Sequence, residues 1–207
     1  MFAGTRSIGK AFEKMGHKVF SIEWDRQHEN IDWYVDIGTI TAEDIREKFG
    51  EVDVVWASPD CRSYSIAGIS HHRTKEEDGN LAPKSDFAKQ CDQVNQHFLK
   101  LIEELQPKYF FIENPRGGLR KMNFISHVPC FTVWYCQYND LRAKPTDIFT
   151  NHPNPQFKPV CKNGNKNCHH QPAPRGARTG TQGIKGSVDR SIIPQELCEH
   201  IVKISSM

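Results

Sequence analysis

Short apolar segments alternate with amphipathic ones along the chain, and this alternation most constrains the fold. Residues 52–56, 109–112 and 130–136 are strand-like and nearly all apolar. Between the first two, apolar residues recur every three or four positions over 85–105, which predicts a long helix ending before Pro107. Apolar strands that alternate with helices are typical of a parallel sheet covered on both faces. The sequence therefore predicts an α/β fold with a doubly wound, mostly parallel sheet.

Shorter elements are predicted around this framework. Helices are expected at 6–15, 41–49 and 194–204, and a strand at 19–22. Thr41 with Asp44 three residues later resembles a capping box. Residues 66–83 are polar and predict an irregular loop, of the length seen in functional lids or disordered segments.

The overall composition excludes several classes of protein. The chain has 207 residues, enough for one domain with a sizeable core or one domain plus a small appendage. It has no apolar run long enough for a transmembrane helix and no signal-type N-terminus. Seven cysteines without regular spacing favour a reduced compartment over a disulfide framework. We expect a cytoplasmic monomer, although the sequence does not determine the oligomeric state.

Positive charge is concentrated near the C-terminal end. Residues 141–190 contain nine basic and two acidic side chains, a local charge of +7 within a chain of net charge +2. Such a segment is either a nucleic-acid contact or a solvated loop. The division predicted is a catalytic domain at 1–150, an irregular basic insertion at 151–188 and a returning helix at 189–207. The candidate DNA contacts in the insertion are Lys162, Lys166, Arg175 and Arg178.

A loose cysteine and histidine cluster lies in the same insertion. The cluster contains Cys161, Cys168, His169 and His170, and Cys161, Cys168 and His169 are the candidate metal ligands. Zinc sites usually have four ligands in tighter pairs, and adjacent histidines cannot easily both bind one ion. We therefore predict no metal site and favour a polar loop facing DNA.

Two strand ends carry the residues that indicate catalysis. Cys61 follows the strand at 52–56, and Glu113 follows the strand at 109–112. A thiol beside a carboxylate is an arrangement suited to covalent catalysis with an acid–base partner. The alternative is that Cys61 is a small buried apolar side chain, as most free cysteines are.

The N-terminal loop indicates a nucleoside site. Gly4 opens a loop that leads into a helix, and Glu23 follows nineteen residues later. In doubly wound sheets a glycine loop approaches the ligand, and an acidic residue about 20 residues on binds the ribose. The loop lacks the features of a phosphate-binding loop, so a ligand without phosphate is favoured. Asp36 is expected at the same edge, near an adenine amino group.

The order of these motifs resembles the DNA cytosine-5 methyltransferase family, especially its short phage-type members, from Phe2 to about Ile204. The resemblance implies a Rossmann-like methyltransferase fold, S-adenosylmethionine as cofactor, DNA as partner and a bacterial or phage-infected cell. It implies cofactor contacts from the following residues: Phe2, Gly4, Ser7, Ile8, Glu23, Trp24, Asp36, Ile37 and Pro59.

The resemblance also assigns catalytic roles. Cys61 is similar to the family's nucleophile, and Glu113 to the residue that binds and protonates the cytosine ring. Thr146 stands where the family has a catalytic arginine, so that role passes to Arg142 or Lys144 or is lost. Either Arg62 or a nearby helix start is expected to favour the Cys61 thiolate. Contacts to DNA are expected from Arg62, Ser65 and Asn114.

Two alternatives remain open at this point. The turn at Pro59 partly resembles that of amino-group methyltransferases acting on adenine N6 or cytosine N4, although its second proline and aromatic residue are absent. A catalytically inactive nucleic-acid-binding relative would keep the same fold.

Overall fold

A computed structural model describes residues 1–172, 184 and 186–206. The strands are β1 Ile22–Glu23, β2 Trp33–Tyr34, β3 Val54–Ala57, β4 Arg73–Lys75, β5 Leu81–Pro83, β6 Tyr109–Pro115, β7 Cys130–Trp134 and β8 Pro145–Thr150. The α-helices are α1 Ser7–Lys14, α2 Ala42–Phe49, α3 Ile69–His72, α4 Asp86–Leu105, α5 Ser187–Ser191 and α6 Gln195–Ser205. Short 3₁₀ helices lie at Ile37–Thr39, Leu119–Lys121 and Tyr135–Tyr138.

The main sheet has the strand order β3–β6–β8–β7. β3 and β6 are parallel, but β8 is antiparallel to both β6 and β7. The prediction of a mostly parallel sheet is therefore wrong. Parallel neighbours need a crossover of a dozen or more residues, usually a helix, whereas β7 and β8 are joined by a short connection with one 3₁₀ helix.

The N-terminal residues lie between the main sheet and the small parallel pair β1–β2. The Ala3 amide donates to the Ile22 carbonyl at 3.1 Å, and the Met1 amine donates to the Trp56 carbonyl at 2.7 Å. The loop that follows enters α1, so the glycine loop emerges between β1 and β3.

Helices cover the main sheet on both faces, as predicted. Successive strand residues point to opposite faces, and in β6 Phe111 and Ile112 belong to different apolar clusters. Ile112 packs in the cluster that contains the buried face of α4. Phe111 packs in the cluster formed by α1 and α6. Helix α4 begins where expected, because the Ser85 hydroxyl accepts from the Ala88 amide.

Residues 66–83 are more ordered than predicted. They form α3 and the antiparallel hairpin β4–β5, so the expectation of an irregular loop is wrong. The capping box at Thr41 and Asp44 is confirmed. Among the described residues, no helix combines the length and apolarity needed to cross a membrane.

Candidate active site

A cleft of about 1520 Å³ opens beside the N-terminal loop, β1, β3 and the end of β6. Most of the residues that the sequence singled out line it: Phe2, Gly4, Ser7, Ile8, Glu23, Trp24, Asp36, Pro59, Cys61, Arg62, Ser65, Glu113 and Lys144. The structure thus brings the expected nucleophile, carboxylate and cofactor loop to one cavity.

Cys61 lies in a tight turn directly after β3. Its carbonyl accepts from the amides of Tyr64 at 3.0 Å and Ser65 at 2.8 Å. On the other side of the turn, the Asn114 side chain donates to the Pro59 carbonyl at 3.0 Å. The turn is therefore fixed from within and from the adjacent strand β6.

Glycine is required where this turn meets the chain after β6. The Gly118 amide donates to the Tyr64 carbonyl at 2.7 Å. A Cβ on Gly117 would lie 2.5 Å from the same carbonyl oxygen, closer than atoms can approach. A side chain at Gly117 would thus push the turn that carries Cys61 out of place.

The surroundings of Cys61 hold its thiol in the protonated form. Burial raises its pKa to about 11, and the Glu113 and Asp60 carboxylates add to this, while Lys144 acts in the opposite direction. Arg62 also interacts favourably with a charged Cys61, but its stronger partner is Asp60. It forms a bidentate ion pair with the Asp60 carboxylate and stacks over Phe87, so that Arg62 favouring the thiolate stays a prediction.

Glu113 lies at the base of the cleft and is only 7% exposed. The Tyr135 hydroxyl donates to its carboxylate at 3.3 Å. Burial and the Glu113 charge raise the pKa of Tyr135 well above its ordinary value, so the hydroxyl keeps its proton. Tyr135 is thereby a fixed donor that orients one Glu113 oxygen.

The two basic candidates for catalysis occupy different places. Lys144 lines the cleft, lies 4.7 Å from the centre of the Tyr135 ring and acts electrostatically on Cys61. Arg142 is only 6% exposed and does not line the cleft. It pairs with Asp140 and donates to the Ile192 carbonyl at 2.9 Å. The structure therefore assigns Arg142 to holding the C-terminal segment, against the prediction of a catalytic role.

Two further residues of the predicted site, Asn114 and Ile37, do not line the cleft, because neighbouring residues face opposite ways. Along β6, Glu113 and Pro115 line the cleft, whereas Asn114 between them is buried and contacts the Pro59 turn instead of facing a DNA site. Ile37 is likewise buried in the core, while the adjacent Asp36 lines the cleft.

A buried polar network beneath the Cys61 turn was missed by sequence reasoning. Arg73 of β4 forms an ion pair with Asp92 of α4 at 2.7 Å, with side chains 0% and 9% exposed. Arg73 also donates to the Ser63 carbonyl at 2.9 Å. The Tyr64 hydroxyl donates to Asp92 at 2.6 Å and accepts from Asn95 at 2.9 Å. Residues directly after Cys61 are thus anchored to α4 and β4.

The only local signal for this network is the spacing of Asp92 and Asn95. The two residues lie three apart on α4, so they share one helix face. Their partners, Arg73 and Tyr64, lie far away in the sequence. These contacts therefore could not be predicted from the sequence.

The cofactor side of the cleft is organised around Glu23. Its carboxylate accepts from the amides of Gly4 and Trp24, each at 2.9 Å. Gly4 has a φ of 48°, and a Cβ there would meet no atom within 4 Å, so its backbone is open to the cleft. Trp24 is 63% exposed, which leaves its ring free to stack on a planar ligand. These features fit an uncharged nucleoside end of a ligand.

Part of the positive charge of 141–190 is neutralised within the fold. Arg142 is paired with Asp140, and Lys158 with Glu196 at 2.8 Å. Lys162 and Lys166 are exposed. Arg175 and Arg178 lie outside the described residues.

The cysteine and histidine cluster has a different membership from the predicted one. Cys161 and Cys168 lie together with Cys136 and His170. His169 is exposed, and its ring nitrogen donates to the Asp140 carbonyl at 3.1 Å. Adjacent side chains on an extended segment point apart, so His169 and His170 cannot both face the cysteines.

Solved structures similar to this one are methyltransferases. A protein described as a DNA modification methyltransferase encoded within an E. coli prophage matches with a TM-score of 0.52 and 19% identity, over 72% of this chain and 44% of that one. The S. pombe Dnmt2 methyltransferase matches with a TM-score of 0.51 and 14% identity, over 72% of this chain and 48% of that one. These similarities establish the α/β methyltransferase fold.

Sequence comparison extends the similarity to the family. A protein of Frog virus 3 (isolate Goorha) named "Probable DNA (cytosine-5)-methyltransferase" is 31% identical over 147 residues, 68% of this chain and 63% of that protein. The chain therefore spans less than two thirds of the length of this relative. The family model for C-5 cytosine-specific DNA methylase matches residues 1–134, which contain both Cys61 and Glu113. The chain belongs to the C-5 cytosine-specific DNA methylase family.

Proposed function

We propose that this chain is a DNA (cytosine-5) methyltransferase that transfers a methyl group from S-adenosylmethionine to a flipped cytosine through a covalent Cys61 adduct. One observation carries the proposal. Cys61 and Glu113 line the same cleft, each on a fixed backbone, and the charge of Glu113 acts directly on the Cys61 thiol. Family membership adds that this thiol and carboxylate lie within the matched region.

The reaction requires Cys61 as a nucleophile because C5 of cytosine is too weak a nucleophile to accept a methyl group directly. The Cys61 thiol loses its proton to solvent, and the thiolate sulfur bonds to C6 of the ring as the ring electrons move toward C5. Glu113 donates a proton to N3 and stabilises the adduct. S-adenosylmethionine, when bound, supplies the electrophilic methyl group. After transfer, solvent water accepts the C5 proton, the released electrons restore the ring double bond, the Cys61 sulfur leaves as thiolate and the N3 proton returns to Glu113.

The electrostatics of the cleft link these two roles. With Glu113 ionised, its charge adds to burial in keeping Cys61 protonated. A protonated Glu113 supplies the N3 proton and no longer opposes the thiolate, while the favourable effect of Lys144 remains. Activation of Cys61 is therefore coupled to the protonation state that cytosine binding requires.

Lys144 takes the place of the family's arginine in this proposal. It lines the cleft and lowers the pKa of Cys61. Its ammonium group donates to the Arg190 carbonyl at 3.2 Å, which holds it beside the C-terminal segment.

On the cofactor side, the residues present can hold S-adenosylmethionine. Glu23 would bind the ribose hydroxyls with the lone pairs that its backbone contacts leave free. Trp24 would stack on the adenine, and Asp36 would accept from the adenine amino group. The DNA would lie against the exposed Lys162 and Lys166. Because similar proteins come from Frog virus 3 and an E. coli prophage, we also propose a viral or phage-type setting.

The test combines methylation mapping with trapping. Duplex DNA incubated with the protein and S-adenosylmethionine should show protected cytosines after bisulfite sequencing. DNA containing 5-fluorocytosine should form a covalent adduct, because the fluorine cannot leave as a proton does. Mass spectrometry should locate the adduct at Cys61, and Cys61→Ser should abolish both signals while circular dichroism stays unchanged.

Cys91→Ser is the matched control, since Cys91 also lines the cleft yet has no place in the reaction. Trapping at another cysteine, or full methylation by Cys61→Ser, contradicts the mechanism. Methylated adenine or N4-methylcytosine in the treated DNA would instead support an amino-group methyltransferase. DNA binding without any methylation would indicate an inactive relative.

A further inference from the structure

Four side chains capable of binding a metal meet at a point outside the cleft. The ligand atoms of Cys136, Cys161, Cys168 and His170 all lie within 4.8 Å of one another. Cys136 belongs to the 3₁₀ helix that follows β7, whereas the other three come from the irregular segment 151–172. The cluster therefore joins this segment to the edge of the main sheet.

We infer that these four residues form a structural Zn²⁺ site. Three thiolates and one imidazole are a donor set typical of tetrahedral structural zinc. Thiolates also select zinc over magnesium or calcium, which prefer oxygen ligands. This inference concerns the fold and does not depend on the proposed methyl transfer.

The distances suit a tetrahedral ion. Zinc–sulfur bonds of about 2.3 Å and zinc–nitrogen bonds of about 2.0 Å place neighbouring ligand atoms roughly 3.5–3.8 Å apart. The Cys161 sulfur lies 3.9 Å from Nδ1 of His170. Since every pair lies within 4.8 Å, closing the site needs only shifts of about 1 Å or less.

Amide donors already point at the three sulfurs. The Gln137 side chain donates to the sulfur of Cys136 at 3.9 Å and to that of Cys168 at 3.8 Å. The Asn165 side chain donates to the Cys161 sulfur at 3.6 Å. Outer hydrogen bonds of this kind orient metal ligands and stabilise their charged form. They are a second observation, independent of spacing, that favours thiolate ligands here.

The surroundings explain why a metal is useful at this place. Residues 151–172 contain no helix or strand, and Val160 within them is 68% exposed. The segment thus lacks a core of its own, and segments of this kind are often held by a metal or by disulfides. Cys161 and Cys168 pack against a small apolar group formed by Trp134, Cys136 and Ala143, which shields the site.

A disulfide explains the cluster less well. All seven cysteines are free. A single bridge would use two of the three clustered sulfurs and leave the third and His170 without a role.

His170 must change one contact when the ion binds. The Gly164 amide now donates to Nε2 of His170 at 3.2 Å, which requires Nε2 to be unprotonated. Binding the metal through Nδ1 places the ring proton on Nε2. The Gly164 contact therefore opens in the loaded site, and Nε2 becomes a donor.

The experiment measures metal directly on the full chain. Protein expressed with added zinc and purified under reducing conditions should carry about one zinc per chain by elemental mass spectrometry. Reconstitution with Co²⁺ alone should give thiolate-to-metal charge-transfer and d–d bands typical of tetrahedral coordination. Cys161→Ser and His170→Ala should each lower metal affinity by at least about tenfold, the size of effect seen even for outer-shell changes.

Two variants serve as matched controls. His169→Ala removes the neighbouring imidazole, and Cys130→Ser removes a half-buried thiol outside the cluster; both should keep the full metal content. Should Cys161→Ser fail to fold, alkylation of the unaltered chain decides the question. Cys136, Cys161 and Cys168 should react faster after a chelator and become protected again when Zn²⁺ is restored.

Three results would overturn the inference. They are a metal-free protein with reduced thiols after zinc supply, alkylation rates that do not respond to zinc, and a disulfide between any two of the clustered cysteines.

Discussion

Two opposite charges act on one thiol at Cys61. Glu113 raises its pKa and Lys144 lowers it, and both effects are added to the larger effect of burial. The sequence could predict that Cys61 and Glu113 come together, because both lie toward the carboxyl ends of the parallel strands β3 and β6. Lys144 could be named only from the family resemblance. The direction of the pKa shift at Cys61 could not be predicted from the sequence. It depends on the burial of the thiol and on Asp60 already being paired with Arg62.

This balance predicts the pH dependence of Cys61 reactivity in the free protein. Because only the thiolate reacts, the rate of alkylation at Cys61 should still be rising by about tenfold per pH unit between pH 8 and 10. Glu113→Gln removes a charge that raises the pKa, so its reactivity should begin at lower pH. Lys144→Met should shift the profile to higher pH. Peptide mapping after timed alkylation gives the rate at Cys61 alone, and a plateau near pH 9 in the unaltered protein would contradict the assignment.

At the level of elements, the helices were easier to predict than the sheet. Helix α4 has a cap at Ser85 and a continuous apolar face, so its extent follows from local sequence alone. β8 was missed because it begins with Pro145, Thr146 and Asp147, which do not form an apolar run. Thr146 and Asp147 become buried only by pairing with β6 and β7. The hairpin β4–β5 was missed for a related reason. From the sequence, Arg73 would be expected at the surface. In the fold it faces inward, where the Asp92 carboxylate neutralises its charge.

The Arg73–Asp92 pair predicts a large effect on stability from one substitution. Asp92→Ala leaves the fully buried Arg73 without its carboxylate and removes the acceptor of Tyr64. Breaking a buried ion pair in this way costs about 3–5 kcal/mol. Urea unfolding should show this loss, whereas Asp86→Ala on the same helix, at an exposed pair with Lys89, should change stability by less than about 1 kcal/mol. Equal effects of the two variants would mean that the network does not support the nucleophile turn.

At the scale of the whole molecule, charge is distributed unevenly between fold and surface. The charge of +7 over 141–190 is larger than the positive charge available to bind DNA, because Arg142 and Lys158 form ion pairs with carboxylates. The exposed Lys162 and Lys166 lie on the same loop as three residues of the cysteine and histidine cluster. Sequence alone could locate the basic segment but not separate paired from unpaired charges.

The surface charges predict the salt dependence of DNA binding. Replacing Lys162 and Lys166 by alanine together should weaken binding and lower the slope of log affinity against log salt by up to about 1.8, since each duplex phosphate contact contributes about 0.9. Fluorescence anisotropy over a range of salt concentrations measures this slope. Lys158→Ala should leave it nearly unchanged, because Lys158 is paired with Glu196. An unchanged slope in the double variant would place the DNA on another face.

The closure of the cofactor loop by the C-terminal segment has a consequence for biosynthesis. The Ile193 amide donates to the Ser7 hydroxyl at 3.4 Å, across a separation of 186 residues, and α6 shares an apolar cluster with α1. Contacts this distant in sequence form late, because the intervening chain must first be made and ordered. While α6 is still inside the ribosome, α1 lacks the surface that buries Ile8 and Phe12. The cleft beside this loop is therefore completed only after α6 has left the ribosome, whatever the order in which the earlier strands assemble.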